Sequence, residues 1–231
     1  MSSPRPRWIV EIVGPAGSGK STIARLMAGQ PGVRTVSSVS PAAPLLRRAL
    51  AAGRAAPRAL QLIGRGVFGH ERTTRRQLAW VGRLVVLDSL ARRSGDDVLV
   101  LDQGPLYTLS RLLAARPELT DDRWLKREIE SWADRLDAVL VLDAPDRELV
   151  ERIRGRDKAH AVKHSSMPDG LAAVAQQRAE LDLVVLTAEA FGLDVLRRRT
   201  DDANPEQIVT EVMRLARRDL VSTPGNRRES S

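Results

Sequence analysis

Nine consecutive residues, Gly14-Pro15-Ala16-Gly17-Ser18-Gly19-Lys20-Ser21-Thr22, carry the densest chemistry in the chain. They read G-x-x-x-x-G-K-S with a threonine behind. Glycines let a backbone curl round a small anion without Cβ clashes. Successive N–H groups then point inward as an anion nest. Lys20 adds a movable positive charge for the β- and γ-phosphates of a nucleotide, and the Ser21 hydroxyl is a Mg²⁺ ligand. Gly14 to Thr22 are therefore the candidate binding loop for ATP with Mg²⁺. Thr22 either touches the α-phosphate or merely occupies the first helical turn. The flanks suit such a loop. The apolar run WIVEIV (Trp8–Val13) precedes it, and a helix from Ser21 to Ala28 follows, with Ile23, Leu26 and Met27 on its apolar side and Gly29 as its stop. That helix directs its positive N-terminal end at the anion.

Mg²⁺ bound to a nucleotide takes a second protein ligand, usually an aspartate at the end of a neighbouring strand. Two identical runs, VLVLD, end in Asp102 and Asp143. Asp102 is the favoured partner. Asp143 remains the rival, but the Ala-Pro-Asp-Arg-Glu that follows it also reads as a helix start, with Asp143 as cap and Pro145 in the first turn. The metal set is then Ser21 and Asp102. Glu11, within the first strand, is either a base whose pKa burial raises or a structural residue bonded to nearby backbone. Further along, Glu148 to His164 places Leu149 and Ile153 on one helical face and Arg152 and Arg156 four apart on another, with Lys158, His160 and Lys163 behind. Such a run is a solvated face with Glu148–Arg152 as a surface pair, or a lid whose arginines stabilise charge on a moving phosphoryl group. The lid, over residues 148–170, is the reading adopted. The candidate catalytic set is Lys20, Asp102, Arg152 and Arg156.

These residues need a frame. VRTVS (Val33–Ser37), the two VLVLD runs and LDVLRR (Leu193–Arg198) join the first strand as continuous apolar runs separated by helical stretches. That pattern predicts a parallel sheet covered on both faces. Leu125, Ile129, Trp132 and Leu136 predict a helix begun at Thr120–Asp121. Asn204 caps a last helix with Pro205 at its first position and Ile208, Val212 and Leu215 as its buried stripe. Residues 41–95, rich in Arg, Ala and Gly and broken by IGRGVFGH (Ile63–His70), are expected to form a helical insertion over an acceptor. Arg72, Arg75 and Arg76 in it bind an anionic acceptor or face solvent. Trp80 belongs with Leu78, Val81 and Val85 in the core. Residues 1–7 and 222–231 are polar and expected to be disordered, which leaves one domain over 8–221.

Composition narrows the function classes. There is no cysteine, and His160 and His164 lack a third ligand for zinc. No apolar run nears the roughly 18 residues of a membrane span. The first residues lack the apolar stretch of a signal peptide, so the expected location is cytoplasmic. Net charge is +8, but aromatic content is 3%, which argues against a base-stacking nucleic-acid groove. The expected partner is a small-molecule acceptor; oligomeric state, a homodimer included, is left open.

The glycine-rich loop on the first strand, LDQGP at the end of the third and LDAPDRELVERIRGR after the fourth together resemble the P-loop nucleoside and nucleotide kinases, the thymidylate kinase-like branch nearest. The resemblance spans residues 8–217. It implies an α/β fold: a doubly wound five-stranded parallel sheet of order 2-3-1-4-5 with a helical acceptor-binding insertion and a lid. It also implies transfer of the γ-phosphoryl group of ATP to a small acceptor. Gly14 to Thr22 match the phosphate loop, Asp102 the acidic position after the third strand, and Arg152 and Arg156 the lid arginines. Two positions depart from the pattern. Val13 precedes Gly14 where Glu or Asp is usual, and Asp102-Gln103-Gly104 stands where an Asp-Arg motif would. Both concern the acceptor more than the transfer. The alternative reading is a nucleotide-gated regulatory ATPase without an acceptor, and a third is a nucleic-acid-processing kinase. Neither Asn204 nor Asn226 precedes a lysine, as base-reading by a GTPase would require, and neither strand-end aspartate is followed by the glutamate of a ring ATPase.

Overall fold

A run of apolar residues bounded by turn-forming glycines is stable as a strand only if both its faces are covered. The computed structural model describes residues 8–37, 80, 83–84, 86–88, 91, 97–157 and 160–222. It forms five strands into one parallel sheet: β1 (Trp8–Val13), β2 (Val33–Ser37), β3 (Val98–Asp102), β4 (Ala138–Asp143) and β5 (Asp194–Arg199), in the order β2-β3-β1-β4-β5, with β1, β3 and β4 the buried apolar runs. Pairing sets Ile12 opposite Asp102 of β3 and Val13 opposite Val141 of β4. The C-terminal ends of the three central strands thus open onto one edge, where the loop after β1 begins. This is the order expected from the sequence.

Among the helices of the described residues are α1 (Lys20–Ala28), α2 (Pro105–Ala115), α3 (Arg123–Ala133), α4 (Asp146–Arg154), α5 (Met167–Ala190) and α6 (Pro205–Ser222). Alternation along β1 assigns the two faces. Trp8, Val10 and Ile12 pack with Ile23 and Met27 of α1 and with Ile208, Val212 and Met213 of α6. Ile9 and Val13 pack with Leu106 and Leu109 of α2, Leu125 and Trp132 of α3, and Val184 of α5. Glu11 falls on this second face, against α2. Leu149, Val150 and Ile153 of α4 form a smaller cluster with Val162 and Val174. At about 25 cal/mol per Å² of apolar surface, burial in the two main layers is the chief favourable contribution to folding.

Several boundaries differ from expectation. α3 starts at Arg123, because Pro117–Asp121 take a short 3-10 turn and Asp122, not Thr120–Asp121, caps the helix by accepting from Trp124 N at 2.6 Å. β5 lies one residue further along than LDVLRR suggests. The last helix continues through Ser222, one residue into the expected tail. Asn204 caps it as anticipated, accepting from Glu206 N at 2.9 Å. Two helices escaped the sequence reading. Gln-Gly-Pro after Asp102 reads as a loop, yet Pro105 opens α2, where its missing N–H costs nothing. α5 shows no periodicity, because Leu183 and Leu186 are exposed on its outer side while Leu181, Val184 and Val185 are buried.

Trp80 is helical and half-buried against the α2 layer, as expected of a core residue, and Leu84, Leu87 and Ala91 are buried there too. The rest of the 41–95 insertion expectation, with Arg72, Arg75, Arg76, Leu78, Val81 and Val85, lies outside the described residues, as do the expected terminal disorder at 1–7 and 223–231. Among the described residues no helix is long and apolar enough to cross a membrane.

Candidate functional site

The loop after β1 is shaped by close contact with β4 and α4. At Gly14, φ is +149°, and a Cβ would stand 2.1 Å from the carbonyl oxygen of Leu142. At Gly17, φ is +92°, and a Cβ would stand 2.8 Å from the carbonyl oxygen of Leu149. Only glycine fits either position. The loop is also held from outside. Ala16 N donates to Gln177 Oε1 on α5 at 3.2 Å, and Arg152 Nη1 on α4 donates to Gly17 O at 3.4 Å. Ser21 and Thr22 sit exposed in the first turn of α1.

Lys20 is 6% exposed. Its ammonium donates to Gly14 O at 2.8 Å, Pro15 O at 2.6 Å and Ser18 Oγ at 3.4 Å. Burial pushes its pKa down to about 8; the charge of Asp102 pulls it up, and that of Arg156 pushes it further down. The cation is thus folded onto carbonyls of its own loop, with an acidic group from the next strand beside it.

The two strand-end aspartates differ sharply. Asp102 is buried at the end of β3, beside Lys20. Asp143 is engaged by Arg178 of α5 through two bonds of 2.9 Å, and Arg178 also reaches Asp146 at 2.5 Å and Ala144 O at 3.0 Å. The expected capping role of Asp143 is incorrect: α4 begins at Asp146 with Pro145 in the cap position. The planar guanidinium fork matches a carboxylate in two bonds and draws Asp143 to α5 instead. An oxygen donor pair from Ser21 and Asp102 fits Mg²⁺, which takes one or two protein oxygens and completes its shell with phosphate and water.

Of the two readings of the arginine run, the Glu148–Arg152 pair is present. Arg152 pairs with Glu148, but its guanidinium also donates to Thr200 Oγ1 at 2.9 Å and Thr200 O at 3.1 Å, besides Gly17 O. It fastens α4 to the phosphate loop and to the end of β5. Arg156 is exposed beyond the helix cap Gly155, within electrostatic reach of Lys20. Lys163 bonds the Arg156 carbonyl, and Arg154 Nη2 donates to Ser165 O at 2.7 Å, which ties the segment after α4 together. His160 caps a short turn through Nδ1, which accepts from Val162 N at 3.3 Å. Its pKa is held down by burial and by Arg111, Arg156 and Lys20. Arg111, Gln177, Arg178 and Thr200 are site neighbours that the sequence did not disclose. The first three sit on helices whose existence was not read, and Thr200 lacks any motif. Lys158 lies outside the described residues.

Glu11 is fully buried. Its carboxyl oxygens accept from Leu106 N at 2.8 Å and Tyr107 N at 2.9 Å, the first turn of α2. It takes the place of a helix cap, a role worth about 1 kcal/mol. Burial pushes its pKa from 4.5 up to about 8, against the pull of the Tyr107 and Leu106 N–H groups and of Arg83. Because the folded value lies above the unfolded one, the contribution of Glu11 to stability is full below pH 4.5 and lost as pH rises through 8. The loss approaches about 1.4 kcal/mol per pH unit at its steepest. Chemical unfolding between pH 5 and 8 is expected to show wild type losing stability relative to Glu11→Gln. Parallel curves would refute the assignment.

The comparisons with known proteins agree with this fold. A family model described as AAA domain matches residues 9–184. The YorR protein from Bacillus subtilis, solved with phosphorylated GDP, is similar in fold at 14% identity and a TM-score of 0.50, over 90% of this chain and 95% of that one. Deoxyadenosine kinase from M. mycoides with bound dATP is similar at 12% identity and a TM-score of 0.50, over 90% and 98%. The same kinase with dCTP is similar at 11% and 0.50, over 91% and 99%. No curated protein is significantly similar in sequence. The chain thus has the kinase-like P-loop fold expected from its motifs.

Proposed function

The chain belongs to the AAA domain family, and from that premise we propose that it is an ATP-dependent kinase acting on a small hydroxyl or phosphate acceptor. The observation that carries the reading is a buried lysine inside a glycine loop, flanked by an acidic strand end and by the arginines of α4 and its following turn. Phosphoryl transfer asks little covalent chemistry of a protein; it asks for positioning and charge. In the proposed reaction, Lys20 exchanges its bonds to Gly14 O and Pro15 O for β- and γ-phosphate oxygens. The N–H groups of Gly17 to Ser21 hold the phosphates. Ser21 and Asp102 would hold Mg²⁺, which would supply positive charge to the nucleotide. Arg152 stiffens the loop, and Arg156 meets the charge that develops on the transferred group. The fold neighbours that bind deoxynucleotides make nucleosides and nucleoside monophosphates the first acceptors to try.

Label from [γ-³²P]ATP is expected on one acceptor of such a panel; label released only as inorganic phosphate would overturn the kinase reading. Phosphate release without any acceptor would instead fit the second reading, a nucleotide-gated regulatory ATPase. Replacement of Arg156 by alanine separates the roles further. It is expected to lower kcat by about 10²-fold or more while changing ATP affinity little. An unchanged kcat would reduce Arg156 to a solvated surface charge.

A further inference from the structure

Gln103 is the one non-glycine residue with positive φ, at +59°, among the described residues. It follows Asp102 directly, so the turn that carries the proposed metal ligand is strained. Such strain persists only where the surroundings over-determine it. Three contacts do so here. Gln103 N donates to Ile12 O of β1 at 3.2 Å. Arg83 bonds the Gln103 carbonyl. Glu11 grips the far side of the turn, where Leu106 and Tyr107 begin α2. Gly104 lies against that carboxyl so closely that a Cβ would stand 2.9 Å from Glu11 Cδ and 2.9 Å from Leu101 Cβ. A fully buried acidic group is costly unless it is hydrogen-bonded; the α2 amides supply those bonds to Glu11, and the proposed transfer reaction gives it no other part.

We infer that Glu11 is a positioning residue: by clamping the start of α2 it fixes the strained Asp102–Pro105 turn and thereby the placement of the Asp102 carboxylate toward the nucleotide-bound metal. The inference rests on the reading of Asp102 as a metal ligand. Its physical content is that the aim of Asp102 is set from β1 rather than by β3 alone, because β3 ends at Asp102 and the residue after it is already left-handed. Residues that orient a metal ligand typically cost about 10- to 100-fold in metal affinity when replaced.

The test measures how much Mg²⁺ tightens binding of a fluorescent ATP analogue, as the ratio of dissociation constants without and with Mg²⁺. Wild type, Glu11→Gln, Glu11→Asp and Asp102→Asn are compared, beside hydrogen exchange at the Leu106 and Tyr107 amides. The glutamine keeps the shape but sets an NH₂ group against one of the two N–H donors. It is expected to cut the Mg²⁺ enhancement by about 10-fold or more, toward the Asp102→Asn value, and to speed exchange at both amides. A ratio equal to wild type in folded Glu11→Gln, with Asp102→Asn diminished, overturns the inference alone. A wild-type ratio in Asp102→Asn overturns the metal assignment and the inference with it. If Glu11→Gln does not fold, Glu11→Asp reads the same clamp, since the shorter side chain draws the carboxyl away from the Leu106 and Tyr107 amides and is expected to cut the Mg²⁺ enhancement likewise.

Discussion

Alanine in place of Lys20 is expected to lower the rate of phosphoryl transfer by about 10²- to 10³-fold or more, the cost of removing a preorganised charge from a transition state that is mostly electrostatic. The protein itself is expected to stay folded. Lys20 makes three hydrogen bonds within its loop, yet its depressed pKa records the cost of burying the cation. Losing the bonds and losing the burial penalty offset each other, so stability is expected to move by no more than about 1–2 kcal/mol. Single-turnover transfer and a thermal melt of the same sample separate the two effects. A variant that melts like wild type and transfers at the wild-type rate would remove Lys20 from the mechanism.

Gly14→Ala is expected to be the most damaging glycine-to-alanine change among the described residues. The methyl carbon would lie 2.1 Å from Leu142 O, and Leu142 is fixed in β4, paired with Arg198 of β5. Because the strand cannot retreat, the loop must. The added strain and overpacking amount to about 2–5 kcal/mol. The melting midpoint is expected to fall by several degrees, at about 2–4 °C per kcal/mol for a chain of this size. Nucleotide affinity should fall with it, because the N–H groups that face the phosphates belong to the displaced segment. Calorimetric titration with ATP checks this, and wild-type affinity in the folded variant would show that the loop tolerates a shift its contacts forbid.

The sequence disclosed most of the frame because buried parallel strands leave a strong trace. Trp8–Val13 and the two VLVLD runs are apolar throughout and end where chemistry begins. The phosphate loop was legible for a similar reason: glycines and a lysine at fixed spacing have few other uses. What stayed hidden depends on contacts between segments far apart in the chain. Asp143 pairs with Arg178, thirty-five positions away, and nothing near Asp143 announces it; the local Ala-Pro-Asp signal pointed to a cap instead. Glu11 was readable as buried, but its partners belong to α2, whose Gly-Pro start resembles a turn. α5 hid because apolar residues line its outer side as well as its inner one. Arg152 shows the limit of a local choice between surface pair and functional arm, since it pairs with Glu148 and also reaches Gly17 and Thr200.

The central claim is that the loop, Asp102, Arg152 and Arg156 serve transfer to an acceptor rather than hydrolysis. The most direct measurement is ADP release by purified protein with Mg²⁺ and ATP, with and without nucleosides, nucleoside monophosphates and other small hydroxyl compounds, beside Lys20→Ala. The account predicts release that depends on one class of acceptor and disappears in the variant. Turnover that proceeds equally without any acceptor, or tight ATP binding with no turnover at all, would contradict it and assign the chain to nucleotide-gated regulation.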